Sequence, residues 1–266
     1  MSTARHICFL SDYGYEDDFA GVCRGIIARL APDVRVIDIT HGIVRHDLVG
    51  AAFVLRNTQR YMPEGAVHLA VVDPGVGTSR RALGVRAHGQ RFVGPDNGLL
   101  EWAFHDERCE IRALEDPRWF RHPVSRTFHG RDVFSPIAAW VSKGIEPSNF
   151  GPEISDYHRF AGLKPQATSE SQSRGIILKA DKFGNLITNF SLAEFPQFAR
   201  QPAPSFRIDI GGKQITTMRN TFGEGEPGEL FAILGSTGYL EVVCNRGSAA
   251  RLLNAAPGTE VVISFG

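Results

Sequence analysis

The order of strand-like and helical patterns in residues 1–145 constrains the fold of this chain more than any other feature. Short apolar runs at 6–10, 34–39 and 66–72 predict strands, and a hairpin is expected at 82–93. Helices are expected at 19–30, 48–61, 99–104 and 132–143; in the first, Phe19, Val22 and Ile26 share one face. Strands that alternate with helices form a mostly parallel sheet covered by helices. We therefore predict an α/β domain at the N-terminus.

The pattern changes after residue 162. Residues 160–175 contain Gly, Pro, Ser, Thr and Gln with few large apolar residues, and 163–174 are expected to form a linker. Beyond it, strand-like runs at 175–180, 205–210, 230–234, 239–244 and 260–264 are separated by Gly-containing turns, with one helix expected at 248–254. The fold class predicted is an N-terminal α/β domain (1–162) followed by a smaller β-rich domain (175–266).

Charge and composition exclude several classes of protein. Lys and Arg total 29, as do Asp and Glu, so the excess of positive charge typical of nucleic-acid binders is missing. No run approaches the roughly 18 apolar residues of a membrane span. A signal-peptide pattern is not present at 1–14, which predicts a cytoplasmic protein. The four cysteines show no zinc or redox spacing and are expected to be core residues.

Glycine-rich loops with carboxylates follow several predicted strands. They are SDYG (11–14), DITHG (38–42), VVDPGVG (71–77) and GPDNG (94–98). In α/β sheets the ligand site lies beyond the carboxyl ends of the strands, so these loops are expected to converge. Neither GxGxxG nor a phosphate-binding loop is present, and Asp73 would repel a phosphate. The expected ligand is neutral or cationic.

Each motif also has a purely structural interpretation. Asp12 and Gly14 could form a simple strand-to-helix turn, and GPDNG consists of turn-forming residues. In TFHGRDVF (127–134), Asp132 could be a helix cap. A metal-dependent phosphoesterase is a further alternative, because Asp12, Asp73, Asn97 and His129 are possible ligands with His41 or His46. No H-x-H or D-x-H spacing supports it, and no metal site is predicted.

Six motifs in order resemble one known family. They are SDYGxxDD, VVDPGVGTSRR, VGPDNGLL, TFHGRDVFSPIAA, DKFGNLITN and GYLEVVCNRGSAA, and together they span nearly the whole chain. The chain resembles the S-adenosyl-L-methionine (SAM) hydroxide adenosyltransferases, which are SAM hydrolases related to the fluorinase and chlorinase enzymes. The resemblance implies an α/β domain, a smaller β domain, and a homotrimer with sites at subunit interfaces. It implies SAM as substrate, with no separate cofactor.

The implied reaction is attack of water on ribose C5′ of SAM, which yields adenosine and L-methionine. The family's catalytic set maps onto Asp73, Arg80 and His129. Asp73 beside Arg80 is expected to stay ionised, so that the pair orients the water while His129 helps to relay its proton. Methionine leaves as a neutral thioether, so no metal is required to stabilise it.

Binding roles are also implied by the resemblance. Asp12 matches the carboxylate that holds the ribose diol, and Asp181 the acid that pairs with the methionine ammonium. Phe183 and Asn185 match the residues that hold adenine. Further substrate-binding positions are Phe128, Ser236 near the methionine carboxylate, and Asn245 and Ser248 in the stretch that reads the adenine edge. Thr237 lies near the same position, and the Arg that fluorinase has in that region is missing from this chain.

Two other functions within the family's range are alternatives. A halide-using SAM enzyme is disfavoured because Asp73 would place negative charge near the halide. A non-catalytic SAM or adenosine binder is disfavoured by the complete set of Asp73, Arg80 and His129.

Overall fold

The computed structural model describes residues 6–160, 163–200 and 204–266. The chain divides into two compact units, Met1–Phe160 and Ala161–Gly266, here called the N-terminal and the C-terminal unit. The end predicted for the first domain, residue 162, lies outside the described residues.

The N-terminal unit is built on a six-stranded sheet with the order β2-β1-β3-β5-β4-β6. Its strands are β1 (His6–Ser11), β2 (Arg35–Thr40), β3 (Val67–Val71), β4 (Ala82–Ala87), β5 (Gln90–Pro95) and β6 (Glu110–Ala113). Its helices are α1 (Phe19–Leu30), α2 (Leu48–Gln59) and α3 (Ser135–Ser142). The first four strands in the order are parallel, whereas β4 is antiparallel to both β5 and β6.

Helices cover both faces of this sheet, as its apolar strands require. Successive side chains of β1 point to opposite faces, so Phe9 joins the core under α1 and α3, and Leu10 joins the core under α2. All five residues of β3 are buried, as expected for a central parallel strand. The prediction of an α/β fold is therefore confirmed.

Two local predictions differ from the structure in detail. The expected short helix at 99–104 is a 3-10 turn, Glu101–His105, and further 3-10 turns occur at Pro117–Trp119 and Pro147–Asn149. The helix expected at 132–143 is a π-helical turn, Gly130–Phe134, followed by α3. Pro136 has no N–H to donate to the carbonyl of Asp132, and that carbonyl instead accepts from the Arg121 amide at 2.8 Å.

The C-terminal unit contains a nine-stranded sheet with the order β11-β10-β15-β8-β9-β14-β13-β12, and β7 pairs with β8 at its side. The strands are β7 (Gln166–Ala167), β8 (Gln172–Ala180), β9 (Leu186–Ser191), β10 (Phe206–Ile210), β11 (Lys213–Ile215), β12 (Met218–Arg219), β13 (Leu230–Leu234), β14 (Tyr239–Cys244) and β15 (Glu260–Phe265). One short helix, α4 (Ala249–Leu252), follows β14, and 3-10 turns lie at Pro196–Ala199 and Phe222–Glu224.

Most strands of this sheet are antiparallel, and the buried side chains between them form a separate core. Residues 172–174, at the end of the predicted linker, are the first residues of β8. Sequence reasoning missed β9, which lies between β8 and β14 with five of its six residues buried. Its first residues belong to the DKFGNLITN motif, where turn-forming residues dominate the pattern.

The four cysteines are free thiols. Cys8, Cys23 and Cys244 are buried, as expected of core residues, whereas Cys109 is partly exposed. Burial raises the pKa of Cys8 to about 11 and that of Cys23 to about 12. Across the part of the chain that the structure describes, none of the helices has both the length and the apolar character needed to cross a membrane.

Candidate active site

A cleft of about 490 Å³ opens in the N-terminal unit at the carboxyl ends of β1 and β3. Its ionisable lining residues are Asp12, Asp17, Asp73, Arg45, His46 and His129. Three aromatic side chains, Tyr13, Phe19 and Phe128, form its apolar wall. SDYG and VVDPGVG therefore converge as the strand-end argument predicts, and TFHG joins them, whereas DITHG and GPDNG contribute no residue to this cleft.

Arg80 joins the two other predicted catalytic residues. Its Nε donates to Asp73 Oδ1 at 2.8 Å, and its Nη2 makes a short ion pair with Asp73 Oδ2. The same Nη2 donates to His129 Nδ1 at 2.9 Å. The Asp73 and Arg80 side chains are only 7% and 10% exposed. Arg80 Cζ also lies 5.1 Å from the centre of the Phe134 ring, which adds a cation–π contact.

The glycines of VVDPGVG allow the close approach of Asp73 and Arg80. Val76 N donates to the Asp73 carbonyl at 3.3 Å, and Thr78 Oγ1 donates to the Gly75 carbonyl at 2.7 Å, so the loop folds back on itself. Gly77 has a φ of 77°, and a methyl group there would overlap the carbonyl oxygen of Arg126. This contact brings the loop against the segment that leads to His129.

His129 is held in place by a buried carboxylate three residues further on. Asp132 is fully buried and accepts from Arg121 at 2.9 Å, from Arg131 at 2.7 Å and from the Ser125 amide at 2.9 Å. Burial opposes ionisation, but the hydrogen bonds from Arg131, Ser125 and Arg121 lower the pKa of Asp132 below its usual range. Asp132 therefore anchors residues 121–132 rather than capping a helix, since its side chain accepts no bond from the helix that follows.

The hydrogen bond from Arg80 defines the protonation state of His129. A guanidinium has only donors, so Nδ1 must be the acceptor and the ring proton of the neutral imidazole resides on Nε2. Burial and the positive charge of Arg80 lower the pKa of His129, although Asp73 and Asp132 oppose this shift. Neutral His129 can therefore donate a hydrogen bond through Nε2.

Asp12 and Phe128 lie in the same cleft. Asp12 Oδ2 accepts from the His46 amide at 3.0 Å, and this leaves the other carboxylate oxygen without a partner among the residues described. Phe128 packs edge-on against Tyr13 and Phe19, with ring centres 5.8 and 5.3 Å apart, and Arg131 lies over its face. Sequence reasoning missed Tyr13 and Phe19 as lining residues, although both are in or next to the SDYG motif.

The C-terminal unit brings four other predicted residues together. Asp181 Oδ1 accepts from the amides of Phe183 and Asn185 at 2.8 and 2.9 Å, and Asn185 Nδ2 donates to Asp181 Oδ2 at 2.8 Å. The Phe183 ring is 66% exposed at the tip of this loop. Gly184 has a φ of 86° and lies so close to Ser248 that any side chain would overlap its hydroxyl.

Ser236 and Asn245 lie in two other turns of this unit. Ser236 is exposed between β13 and β14, and Asn245 Nδ2 is bonded to the Gly225 carbonyl at 2.6 Å. Glu241, in β14, reaches the turn of Ser236, and its carboxylate occupies the space where a side chain on Gly235 would lie. Burial, with a contribution from the Asp181 carboxylate, raises the pKa of Glu241 to about 7. Sequence reasoning did not single out Glu241, although it lies in the GYLEVVC motif.

The candidate metal ligands of the phosphoesterase alternative have other partners. Asn97 Oδ1 accepts from the Leu99 amide at 3.2 Å within its own turn, as the turn composition suggested, and Asn97 Nδ2 donates to the Val72 carbonyl, just after β3, at 2.8 Å. His41 is buried, with Nδ1 2.7 Å from Ser11 Oγ and Nε2 3.2 Å from Asp38 Oδ1. In residues 6–160, 163–200 and 204–266, no three His, Cys, Asp or Glu side chains form a group that could hold a metal ion.

Comparison with known proteins defines the class to which this fold and site belong. Residues 7–151 match the model of the SAM hydroxide adenosyltransferase N-terminal domain, and residues 175–262 match that of its C-terminal domain. The chain therefore belongs to the SAM hydroxide adenosyltransferase family.

Individual relatives agree with this assignment. A protein of Thermus thermophilus named (R)-S-adenosyl-L-methionine hydrolase is 42% identical, over 97% of this chain and 98% of its own length. A protein of the same name from Salinispora tropica is 39% identical over the full length of both chains. The crystal structure of an uncharacterized conserved protein from Thermotoga maritima has a TM-score of 0.88 and 34% identity, over 97% of this chain and 99% of that one. Proteins named fluorinase are more distant, at 24 to 26% identity.

Proposed function

We propose that this protein hydrolyses SAM to adenosine and L-methionine by in-line attack of water on ribose C5′. The observation that carries this proposal is the pair of contacts made by Arg80, which binds the Asp73 carboxylate and His129 Nδ1 at one cleft. The printed names of the Thermus and Salinispora relatives support the same reaction.

The electron balance of the reaction needs no separate cofactor. A lone pair of the water oxygen forms the new C5′–O bond, and the C5′–S pair returns to sulfur. Methionine leaves as a neutral thioether because the sulfur of SAM is cationic, and one proton is released from the attacking water. The protein has to supply a single water held in line with the C–S bond, and such positioning can contribute roughly 7–11 kcal/mol.

We assign the orientation of this water to Asp73 and His129, with Arg80 holding both. Each oxygen of Asp73 accepts one bond from Arg80 and retains a lone pair, so Asp73 can accept a hydrogen from the water. His129 can donate Nε2–H to the water oxygen. Because Nε2 already carries a proton in neutral His129, this geometry favours a hydrogen-bond donor over the proton relay expected from the sequence. The released proton then passes to Asp73 or to solvent.

Substrate-binding roles follow the family pattern. We assign the free Asp12 oxygen to the ribose hydroxyls, with Phe128 as an apolar wall beside it. Asp181 is assigned to the methionine ammonium, Phe183 and Asn185 to adenine, Ser236 to the methionine carboxylate, and Asn245 and Ser248 to the adenine edge. The ring of Phe183 is exposed and therefore accessible to a stacking base, with the Lys182 ammonium 4.9 Å from its centre.

A homotrimer with active sites at subunit interfaces is part of the proposal. Tyr15 and Val44 are 67% and 68% exposed, and both are neighbours in sequence of residues that line the cleft. Light scattering should then give three times the 29.2 kDa of one chain; a mass of 29.2 kDa with full activity would contradict the interface site. Four free cysteines support a reducing, cytoplasmic location.

The test is product analysis after incubation of EDTA-treated protein with SAM in chloride buffer. We expect adenosine and methionine in equal amounts. Asp73→Ala should abolish turnover while SAM binding is retained, and Asp209→Ala, in an exposed Asp–Arg pair of the C-terminal unit, should leave both unchanged. Chlorinated adenosine would instead indicate a halide-using enzyme, and SAM binding without turnover a non-catalytic binder. A dependence of turnover on added metal would contradict the proposed chemistry.

A further inference from the structure

Tyr13 carries a hydroxyl in the cleft that the roles above leave unused. Its ring is held by Phe9, Phe19 and Phe128, whose ring centres lie 6.4, 5.7 and 5.8 Å from its own. The backbone is fixed as well, since Tyr13 N donates to Ser11 Oγ at 3.3 Å. The ring therefore cannot turn without disturbing this aromatic cluster, so the position of its hydroxyl is set by the fold.

The hydroxyl end of Tyr13 lies against Gly130, the residue that follows His129. A methyl group on Gly130 would overlap the Tyr13 oxygen, so the absence of a side chain at 130 is what admits the hydroxyl. Tyr13, Gly130, His129 and Asp73 all line the same cleft. Tyr13 is only partly buried, so its hydroxyl is open to a molecule bound in this cleft.

The electrostatic surroundings keep this hydroxyl neutral. Burial and the nearby Cys23, Asp12 and Asp73 raise the pKa of Tyr13 above its usual value, and Arg80 opposes them only in part. Tyr13 is therefore a neutral phenol throughout the range in which proteins work, able to accept one hydrogen bond and to donate another.

We propose that the Tyr13 hydroxyl is a further catalytic residue, which accepts a hydrogen from the attacking water and so completes its orientation. This inference rests on the proposed function. A water molecule has four bonding directions. Hydrogens given to Asp73 and Tyr13, together with a bond received from His129 Nε2–H, occupy three of them. The remaining lone pair is then directed at C5′, and the water cannot rotate.

The test compares Tyr13→Phe with Tyr61→Phe. The first removes only the hydroxyl and keeps the ring that packs against the aromatic cluster. Tyr61 is 69% exposed just beyond α2 and serves as the matched control. We expect Tyr13→Phe to lower kcat about tenfold, the usual effect of losing one hydrogen bond in a transition state, and Tyr61→Phe to leave it unchanged.

Three further readouts separate this role from the alternatives. KM and the Kd for SAM should each change by less than about twofold. Tm should change by less than a few degrees, because the ring packing is retained. An unchanged kcat in Tyr13→Phe would overturn the inference. So would a raised KM at constant kcat, which would place the hydroxyl on the substrate. A wild-type protein without turnover would contradict the proposed function itself.

Discussion

Arg80 donates a hydrogen bond to Nδ1 of His129 over 2.9 Å, across 49 positions of the sequence. The same guanidinium nitrogen contacts the Asp73 carboxylate, so one cation sets both the orientation of the carboxylate and the tautomer of the imidazole. The side chain of Arg80 is nearly buried, and its position is therefore independent of solvent. From this relationship, the catalytic behaviour of His129 variants can be predicted.

Replacement of His129 by Gln should retain more activity than replacement by Ala. The amide nitrogen of Gln can reach the position of Nε2 and donate to the water, but Gln cannot accept a proton there. We expect kcat of His129→Gln to exceed that of His129→Ala by about tenfold, in keeping with one retained hydrogen bond. Steady-state kinetics on the two variants gives the comparison, and equal rates would instead support a proton-accepting His129.

Replacement of Arg80 by Lys should impair catalysis although the charge is conserved. An ammonium group cannot match the planar fork that contacts both oxygens of Asp73 and also His129 Nδ1. We expect kcat to fall by about a hundredfold or more, equivalent to roughly 3 kcal/mol of barrier, while the Kd for SAM changes little. The exposed Arg207→Lys is the control, since its pair with Asp209 lies in the C-terminal unit. Normal turnover by Arg80→Lys would show that the shared contact is dispensable.

Activity should fall on the acid side and stay level at higher pH. Burial and Arg80 lower the pKa of His129 below its usual 6.5, so the imidazole is neutral at pH 7 and becomes charged only below pH 6.5. Protonated Nδ1 would point a hydrogen at the Arg80 guanidinium and break their bond. The pH profile of kcat in the wild type should therefore show one acid limb below pH 6.5. A limb centred above pH 7 would contradict this.

The fold was largely predictable, because its signals are local. The helical spacing of apolar residues in α1 and the continuous apolar run of β3 can each be read from one short stretch of sequence. Strand β9 was missed because Asn and Gly of the preceding turn mask its start, and its burial depends on β8 and β14 on either side. The π-helical turn before α3 was missed for a similar reason: the carbonyl of Asp132 finds its donor in Arg121, outside the segment.

For the candidate site, the motifs suggested which residues belong to it, but they did not show which of these residues contact one another. The sequence places Asp73 and Arg80 seven residues apart, which makes a contact plausible. Their joint contact with His129 depends on how loop 73–80 packs against loop 126–129. Likewise, the close approach of Tyr13 to Gly130 depends on the packing of two distant loops. Arg81, next to Arg80 in the sequence, forms ion pairs with Asp96 and Asp156, and its side chain takes no part in the contact with His129.

Folding stability should depend on pH through His68. This side chain is fully buried between the Phe92 ring and Gln90, and desolvation lowers its pKa from 6.5 to about 4, with the bond to Gln90 opposing the shift. The folded state thus binds fewer protons than the unfolded state between these values. The contribution of neutral His68 to the free energy of unfolding is complete above pH 6.5. It is lost as the pH falls towards 4, and the loss amounts to at most about 3 kcal/mol.

Urea unfolding at about pH 4.5 and at pH 7 measures this contribution. The free energy of unfolding should be higher at pH 7 than at pH 4.5 in the wild type. In His68→Gln, which has no titratable group at this site, this difference should be smaller by about 2 kcal/mol. Exposed His105→Gln should behave as the wild type does. A pH dependence that is unchanged in His68→Gln would rule out His68 as its source.

The central claim, attack of water on C5′, is tested most directly by turnover of SAM in ¹⁸O-labelled water. Mass spectrometry of the adenosine should show one ¹⁸O atom, located in the 5′-hydroxyl, together with unlabelled methionine. This result would place the new bond at C5′ and identify water as the nucleophile. Unlabelled adenosine, or label in the methionine carboxylate instead, would contradict the account.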